Sequence, residues 1–220
     1  MSTSPDRAAT GSPTSILWVE GSPKGDRSLS SSCARAFLES LGGDVGVTHL
    51  DVWSDEVVSF GREAALAKFA PLLGEERTAE QEAIWQQVGA RIEQVERHDA
   101  ILVSSPMWNW GIPHALKAWI DVVVQPFQSF RVDAEGRHVG LLGVGKRAQL
   151  ILTRSSAYDG RSPEMEDHQD PYLRYLFELL GFDLAESVIV EPTTAWTPEE
   201  REAIAAEAVD RSRAAGLAFT

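Results

Sequence analysis

Short apolar runs that stop abruptly at Gly, Ser or Pro, each followed by a helical pattern, constrain this chain more than any other feature. The first is Ser15-Ile16-Leu17-Trp18-Val19-Glu20, which opens at once into Gly21-Ser22-Pro23-Lys24-Gly25. A run that short and that continuously apolar reads as a strand buried on both faces. Leu29, Cys33, Phe37 and Leu41 then recur at helical spacing, with Ser28 suited to the N-cap and Gly42-Gly43 to the helix end. Further strands are predicted over 45–50, 100–103, 147–153 and 184–190. Helices are predicted over 62–73 (interrupted by Pro71), from an N-cap at Thr78 to about 98, from Pro113 to Val123, over 172–180 and over 198–215. Strands alternating with helices, with strands that need cover on both sides, define an α/β fold with a doubly wound, five-stranded parallel sheet.

In such a sheet ligands sit outside the carboxyl ends of the strands. Function is therefore expected in three segments, 21–30, 104–111 and 153–160. The surrounding composition narrows the classes. The 220 residues make one domain, with 15–220 folded and the Ser/Thr/Pro/Gly-rich 1–14 as a flexible tail. Twenty Lys and Arg against 33 Asp and Glu give a net charge of −13, which argues against a nucleic acid or an anionic membrane as partner. No apolar run approaches the ~18 residues of a membrane span, and the start has no apolar signal core, so a cytoplasmic location is expected. One cysteine, Cys33, excludes disulfide scaffolds and Cys-based zinc sites and falls in the apolar stripe of the first helix. His168 sits in Glu166-Asp167-His168-Gln169-Asp170, but neighbours on a polar connector rarely converge on one ion, and no metal site is expected.

The first segment places Ser22, Ser28, Leu29 and Ser30 at a helix N-terminus, where free N–H groups and hydroxyls favour an anion such as a phosphate monoester. The same residues also read as a plain N-cap and polar turn. No Gly-x-x-x-x-Gly-Lys-Ser/Thr and no Gly-x-Gly-x-x-Gly is present, which excludes the triphosphate loop and the dinucleotide fingerprint. The second segment, Pro106-Met107-Trp108-Asn109-Trp110-Gly111-Ile112-Pro113, is unusual for a loop, with two indoles and a methionine around an asparagine. It suits a flat ring, apolar faces against the ring and Asn109 at its polar edge; a Trp cluster over the sheet end or a protein-binding patch is the competing reading. The third, Thr153-Arg154-Ser155-Ser156-Ala157-Tyr158, supplies hydroxyls and N–H groups, with Tyr158 as a candidate phenol toward substrate.

Taken with Leu116-Lys117, Asp121, Phe130-Arg131 and Asp170-Pro171-Tyr172-Leu173, these loops resemble the FMN-dependent NADH-azoreductase family, the flavodoxin-fold NAD(P)H:quinone reductases. The likeness runs from Ser15 to Val190. It implies FMN as cofactor: its phosphate at Ser22, Ser28, Leu29 and Ser30; its ring against Pro106, Met107, Trp108, Asn109 and Trp110; its pyrimidine side at Thr153, Arg154, Ser155 and Ser156. It also implies ping-pong hydride transfer through flavin N5, with NADH or NADPH as donor and a quinone or azo compound as acceptor. Phe127, Phe130 and Tyr158 then border the substrate, and no side chain is required as nucleophile. By the same resemblance, the hairpin expected over 130–140 helps build a two-fold homodimer; on its own it reads as an ordinary surface hairpin. The chain departs from the family at Ser155 and Ser156, where two glycines are usual, and in carrying two Trp where Tyr and Phe are more frequent. The alternatives from other classes are a flavodoxin-type electron carrier for protein partners and a non-catalytic flavodoxin-like domain.

Overall fold

The computed structural model describes residues 13–54, 60–158 and 165–219. Most of the expected tail (1–12) and Asp159 and Gly160 of the third segment lie outside the described residues. Strand β1 (Ser15–Glu20) leads into α1 (Leu29–Glu39), β2 (Gly46–Asp51), α2 (Arg62–Phe69), α3 (Ala79–Glu96) and β3 (Ala100–Pro106). Then come α4 (His114–Val123), a hairpin of β4 (Phe130–Val132) and β5 (His138–Gly140), and β6 (Arg147–Thr153). Helix α5 (Asp170–Leu179), β7 (Asp183–Leu184), β8 (Val188–Val190) and α6 (Pro198–Phe219) complete the chain. All pairings in the main sheet are parallel, in the order β2-β1-β3-β6-β7, with β8 continuing the β6 edge.

The period-two alternation of the strands divides the core. Ile16, Trp18, Ala100, Leu102 and Ile151 face α1 and α6, where Cys33, Phe37, Ala208 and Phe219 meet them. Leu17, Val19, Ile101, Val103, Leu150 and Leu152 face the other way, under Val88, Ile92, Leu116, Trp119, Leu173 and Phe177 of α3, α4 and α5. Cys33 is fully buried, and desolvation pushes its thiol above the usual value. Helices α1 and α6 approach very closely: a Cβ on Gly216 would stand 2.1 Å from Ser40 Oγ and 2.4 Å from the Phe37 carbonyl. Only glycine fits there.

Four boundaries differ from the sequence reading. Ser104, Ser105 and Pro106 do not stop β3; they extend it, because neighbours supply partners. Ser104 Oγ accepts from Trp18 Nε1 (2.9 Å), and Pro106 pairs with Thr153 at the last rung. The strand expected over 184–190 is broken, since the edge gains one residue relative to β6 between its two pairing segments. Gln149 Nε2 donates to the Glu186 carbonyl inside that bulge. Helix α6 runs on to Phe219, whose buried ring packs edge-on against Phe37 at 5.2 Å. Thr14, expected in the tail, is tied down: its N–H and hydroxyl donate to Asp99, and its carbonyl accepts from Gly46. No helix among the described residues is long and apolar enough to cross a membrane.

Candidate functional site: a cleft at the carboxyl edge of the sheet

The connections leaving β1 and β3 run to opposite faces of the sheet, which opens a crevice between their ends. Gly21 starts the first loop, its N–H donating to the Ser104 carbonyl at 2.8 Å; a Cβ would lie 3.2 Å from that oxygen. Ser28 is the N-cap of α1, its Oγ accepting from Ser31 N–H at 3.3 Å. The first intrahelical bond is Ser32 N–H to Ser28 O, so the amides of Leu29 and Ser30 precede the helical ladder. Ser28 and Ser30 share one hydroxyl–hydroxyl bond at 3.0 Å, and both are buried. Whichever donates, one hydroxyl proton of the pair has no acceptor among the described residues. Ser22, also buried, accepts from Lys24 N–H. Donors without acceptors at a helix N-terminus suit an anion. The buried Glu20 does not compete, because Ser31 Oγ and His49 Nε2 hold its carboxylate.

The second loop turns in two residues. Trp108 and Gly111 exchange backbone hydrogen bonds in both directions at 3.0 Å, with Asn109 (φ 47) and Trp110 (φ 65) between them. Positive φ at both central residues is the mark of a type I′ turn. Asparagine tolerates that region; a tryptophan there stores strain of about 1–3 kcal/mol. Trp53 braces the loop from outside, its Nε1 donating to the Gly21 carbonyl (3.0 Å) and its ring 5.3 Å from Trp108.

Behind the third loop lies a buried ionic knot. The Arg154 guanidinium is 2% exposed and reaches Asp167 (2.6 Å), Glu191 (3.0 Å) and Gln169 Oε1 (3.2 Å). Its backbone is stitched as well: Arg154 N–H donates to Val190, and Thr193 N–H to the Arg154 carbonyl. The segment after β8 is thereby held against the loop after β6.

The three loops converge on one cleft of about 390 Å³. Of the residues expected to hold a cofactor, Ser22, Ser28, Leu29, Pro106, Met107, Trp108, Thr153 and Ser155 line it. The others do not. Ser30 sits buried behind Ser28. Asn109 lines a second cleft across the loop, about 460 Å³, with His114, Lys117, His168 and Tyr172. Trp110 is half exposed and lines neither, while its carbonyl accepts from His168 N–H. Arg154 points into the ionic knot rather than the cleft, because two carboxylates wait there, and Ser156 lies off the lining. Phe127 is 77% exposed, and the Phe130 ring packs on His138 at 5.5 Å. Tyr158 lies under the Arg154 guanidinium, 5.5 Å from its ring centre, with its N–H donating to Glu191.

The sequence reading missed five lining residues of consequence: Lys24 and Arg27 beside the serines, and Thr193, Arg201 and Ile204 from the far end of the chain. From its acidic sequence, α6 reads as a solvated face over the sheet. Its one available signal was a basic residue following Glu199 and Glu200 at a helix N-terminus, where positive charge is disfavoured.

A doubly wound parallel sheet with a donor-rich helix N-terminus facing an aromatic loop at its switch point defines a cofactor-binding α/β protein. A model of the family described as having a flavodoxin-like fold (Flavodoxin_2) matches residues 14–215, and the chain belongs to that family. An FMN-dependent NADH:quinone oxidoreductase of Nitratidesulfovibrio vulgaris (strain DP4) is 36% identical over 209 residues, 93% of this chain and 99% of the relative. FMN-dependent NADH:quinone oxidoreductase 2 of Pseudomonas syringae pv. tomato is 39% identical over 184 residues, 82% and 87% of the two chains. Among solved structures, the azoreductase from Bacillus anthracis str. Sterne superposes with a TM-score of 0.81 at 23% identity, covering 94% of this chain and 100% of that one. An FMN complex of an FMN-dependent NADH-azoreductase from Bacillus anthracis str. Ames Ancestor gives 0.80 at 22%, covering 92% and 97%. These two likenesses establish the fold.

Proposed function

We propose that the protein is an FMN-dependent NADH oxidoreductase reducing quinones or azo compounds. The observation that carries this reading is the convergence of the serine loop, the Met107-Trp108 wall and the loop after β6 on one cleft. The names of its relatives point the same way and away from a carrier serving protein partners. When bound, FMN supplies the two-electron chemistry between nicotinamide and acceptor.

The chain's own part is binding and orientation. Ser22 and Ser28 hydroxyls and the amides of Leu29 and Ser30 offer donors to the phosphate. Met107 and Trp108 give an apolar wall against one edge of the ring, and Thr153 and Ser155 offer hydroxyls and backbone groups to another. Trp53 and the Arg154 knot hold these walls in register from behind. No nucleophile or proton relay is asked of the protein. Residues 15–220 act as one FMN-binding unit, and the reading extends to a cytoplasmic homodimer built on the β4–β5 hairpin, which sedimentation and fractionation would test.

Purified protein is expected to be yellow, with a flavin spectrum that NADH bleaches and benzoquinone restores. A colourless protein that takes up no FMN on titration would refute the proposal.

A further inference from the structure

The cleft is charged against the character of the chain. In a protein with 33 acidic and 20 basic residues, no carboxylate among the described residues lines it, while Lys24, Arg27 and Arg201 all do. None of the three has a carboxylate within ion-pair distance among the described residues, although most arginines elsewhere are paired. Arg201 is the least expected of them. It is the fourth residue of α6, close to the positive end of the helix dipole, where a cation is unfavourable. Its neighbour Glu200 is committed elsewhere, accepting from Trp196 and Thr197 N–H as the cap of the same helix. Arg201, Ile204 and Ala205 share one face, and that face is the cleft wall. The start of α6 is brought there by Thr193 and Thr194, whose N–H groups donate to the Arg154 and Ser155 carbonyls.

We infer that Arg201 is an anion-binding residue that closes the phosphate end of the cleft from α6, opposite Ser22 and Ser28, with Arg27 and Lys24 as lesser arms. Its ligand is a phosphate monoester dianion. The inference rests on the FMN reading above and adds a residue to it. Serine hydroxyls and amides satisfy phosphate oxygens but carry no net charge. A guanidinium supplies the charge and a two-pronged donor geometry.

FMN and riboflavin differ by that phosphate, so paired titrations of the full-length, flavin-free protein, read by flavin fluorescence, isolate the contact. Wild type is expected to prefer FMN. Arg201→Gln should weaken FMN by about tenfold or more, the loss of one charge-assisted contact, and leave riboflavin unchanged. Arg201→Lys should recover part of the loss, and added inorganic phosphate should compete with FMN less well in Arg201→Gln. Arg211→Gln, about 15 Å farther along the same helix and lining a different cleft, controls for bulk charge and should change neither affinity. Equal weakening of both flavins, no weakening of either, or the same FMN loss in Arg211→Gln would overturn the assignment. Wild type binding neither flavin would overturn the proposed function and this inference with it.

Discussion

Replacing Arg154 by Met tests whether this arginine is a brace or a ligand contact. The guanidinium is 2% exposed, and its two carboxylate partners are 19% and 20% exposed. Arg154→Met keeps the volume of the stem and leaves Asp167 and Glu191 facing each other without a cation. Breaking a buried ion pair from one side costs about 3–5 kcal/mol. Because these carboxylates keep some water, the low end applies, about 3 kcal/mol. For a chain of this size each kcal/mol moves Tm by about 2–4 °C, so a fall of roughly 6–12 °C is expected in differential scanning calorimetry. Adding Asp167→Asn and Glu191→Gln removes the stranded charges and should recover part of that loss. The functional signature follows from the stitching of residues 190–194 to the loop after β6: FMN and riboflavin affinities should fall together. A Tm within about 2 °C of wild type would refute the buried-brace account. A loss confined to FMN would show that Arg154 reaches the phosphate after all.

Asn109→Ala places a residue without a polar side chain at φ 47, which should cost about 1 kcal/mol and loosen the Trp108 turn. Both flavins should bind more weakly and Tm should fall by a few degrees; unchanged affinity would detach this turn from the ring site. Gly216→Ala improves helix propensity by about 1 kcal/mol but drives a Cβ into the Phe37 carbonyl and Ser40. A net destabilisation of about 1–2 kcal/mol is expected from the overpacking, a Tm drop of roughly 2–8 °C, and a stabilised variant would contradict the close approach. The Thr14 hydroxyl, aided by Ser15 and both backbone N–H groups, holds the Asp99 carboxyl below its usual range. A depressed folded pKa contributes stability above the unfolded value of about 3.9 that is lost as pH falls through the folded one. Acid titration of Asp99→Asn should therefore lose stability less steeply below about pH 4 than wild type, and superimposable acid limbs would refute the contribution.

Much of the fold was legible because it is written locally. Strand β1 and strand β6 fall on the residues where the apolar runs stand, and Ser28 and Thr78 cap the helices that their side chains announce. Thr78 and Gln81 also form a reciprocal capping box. These signals need only neighbours within a helical turn or one strand. The three ligand loops followed from topology, since a doubly wound sheet puts its crevice at the strand ends whatever the loop composition.

What the chain could not show by itself is where each side chain turns once the loops meet. Arg154 reads as a ligand group in its own segment and becomes a brace because Asp167 and Glu191 arrive from 13 and 37 residues away. Asn109 reads as a ring contact; the fold sets its backbone at positive φ and places it on the lining of the second cleft. Arg201 is exposed on an acidic helix and still lines the cleft, because Thr193 and Thr194 tie the start of α6 to the loop after β6. Periodicity and capping are short-range and survive in one dimension. Charge pairing and cleft lining depend on which distant groups the sheet brings within a few ångströms, and only the tertiary structure decides that.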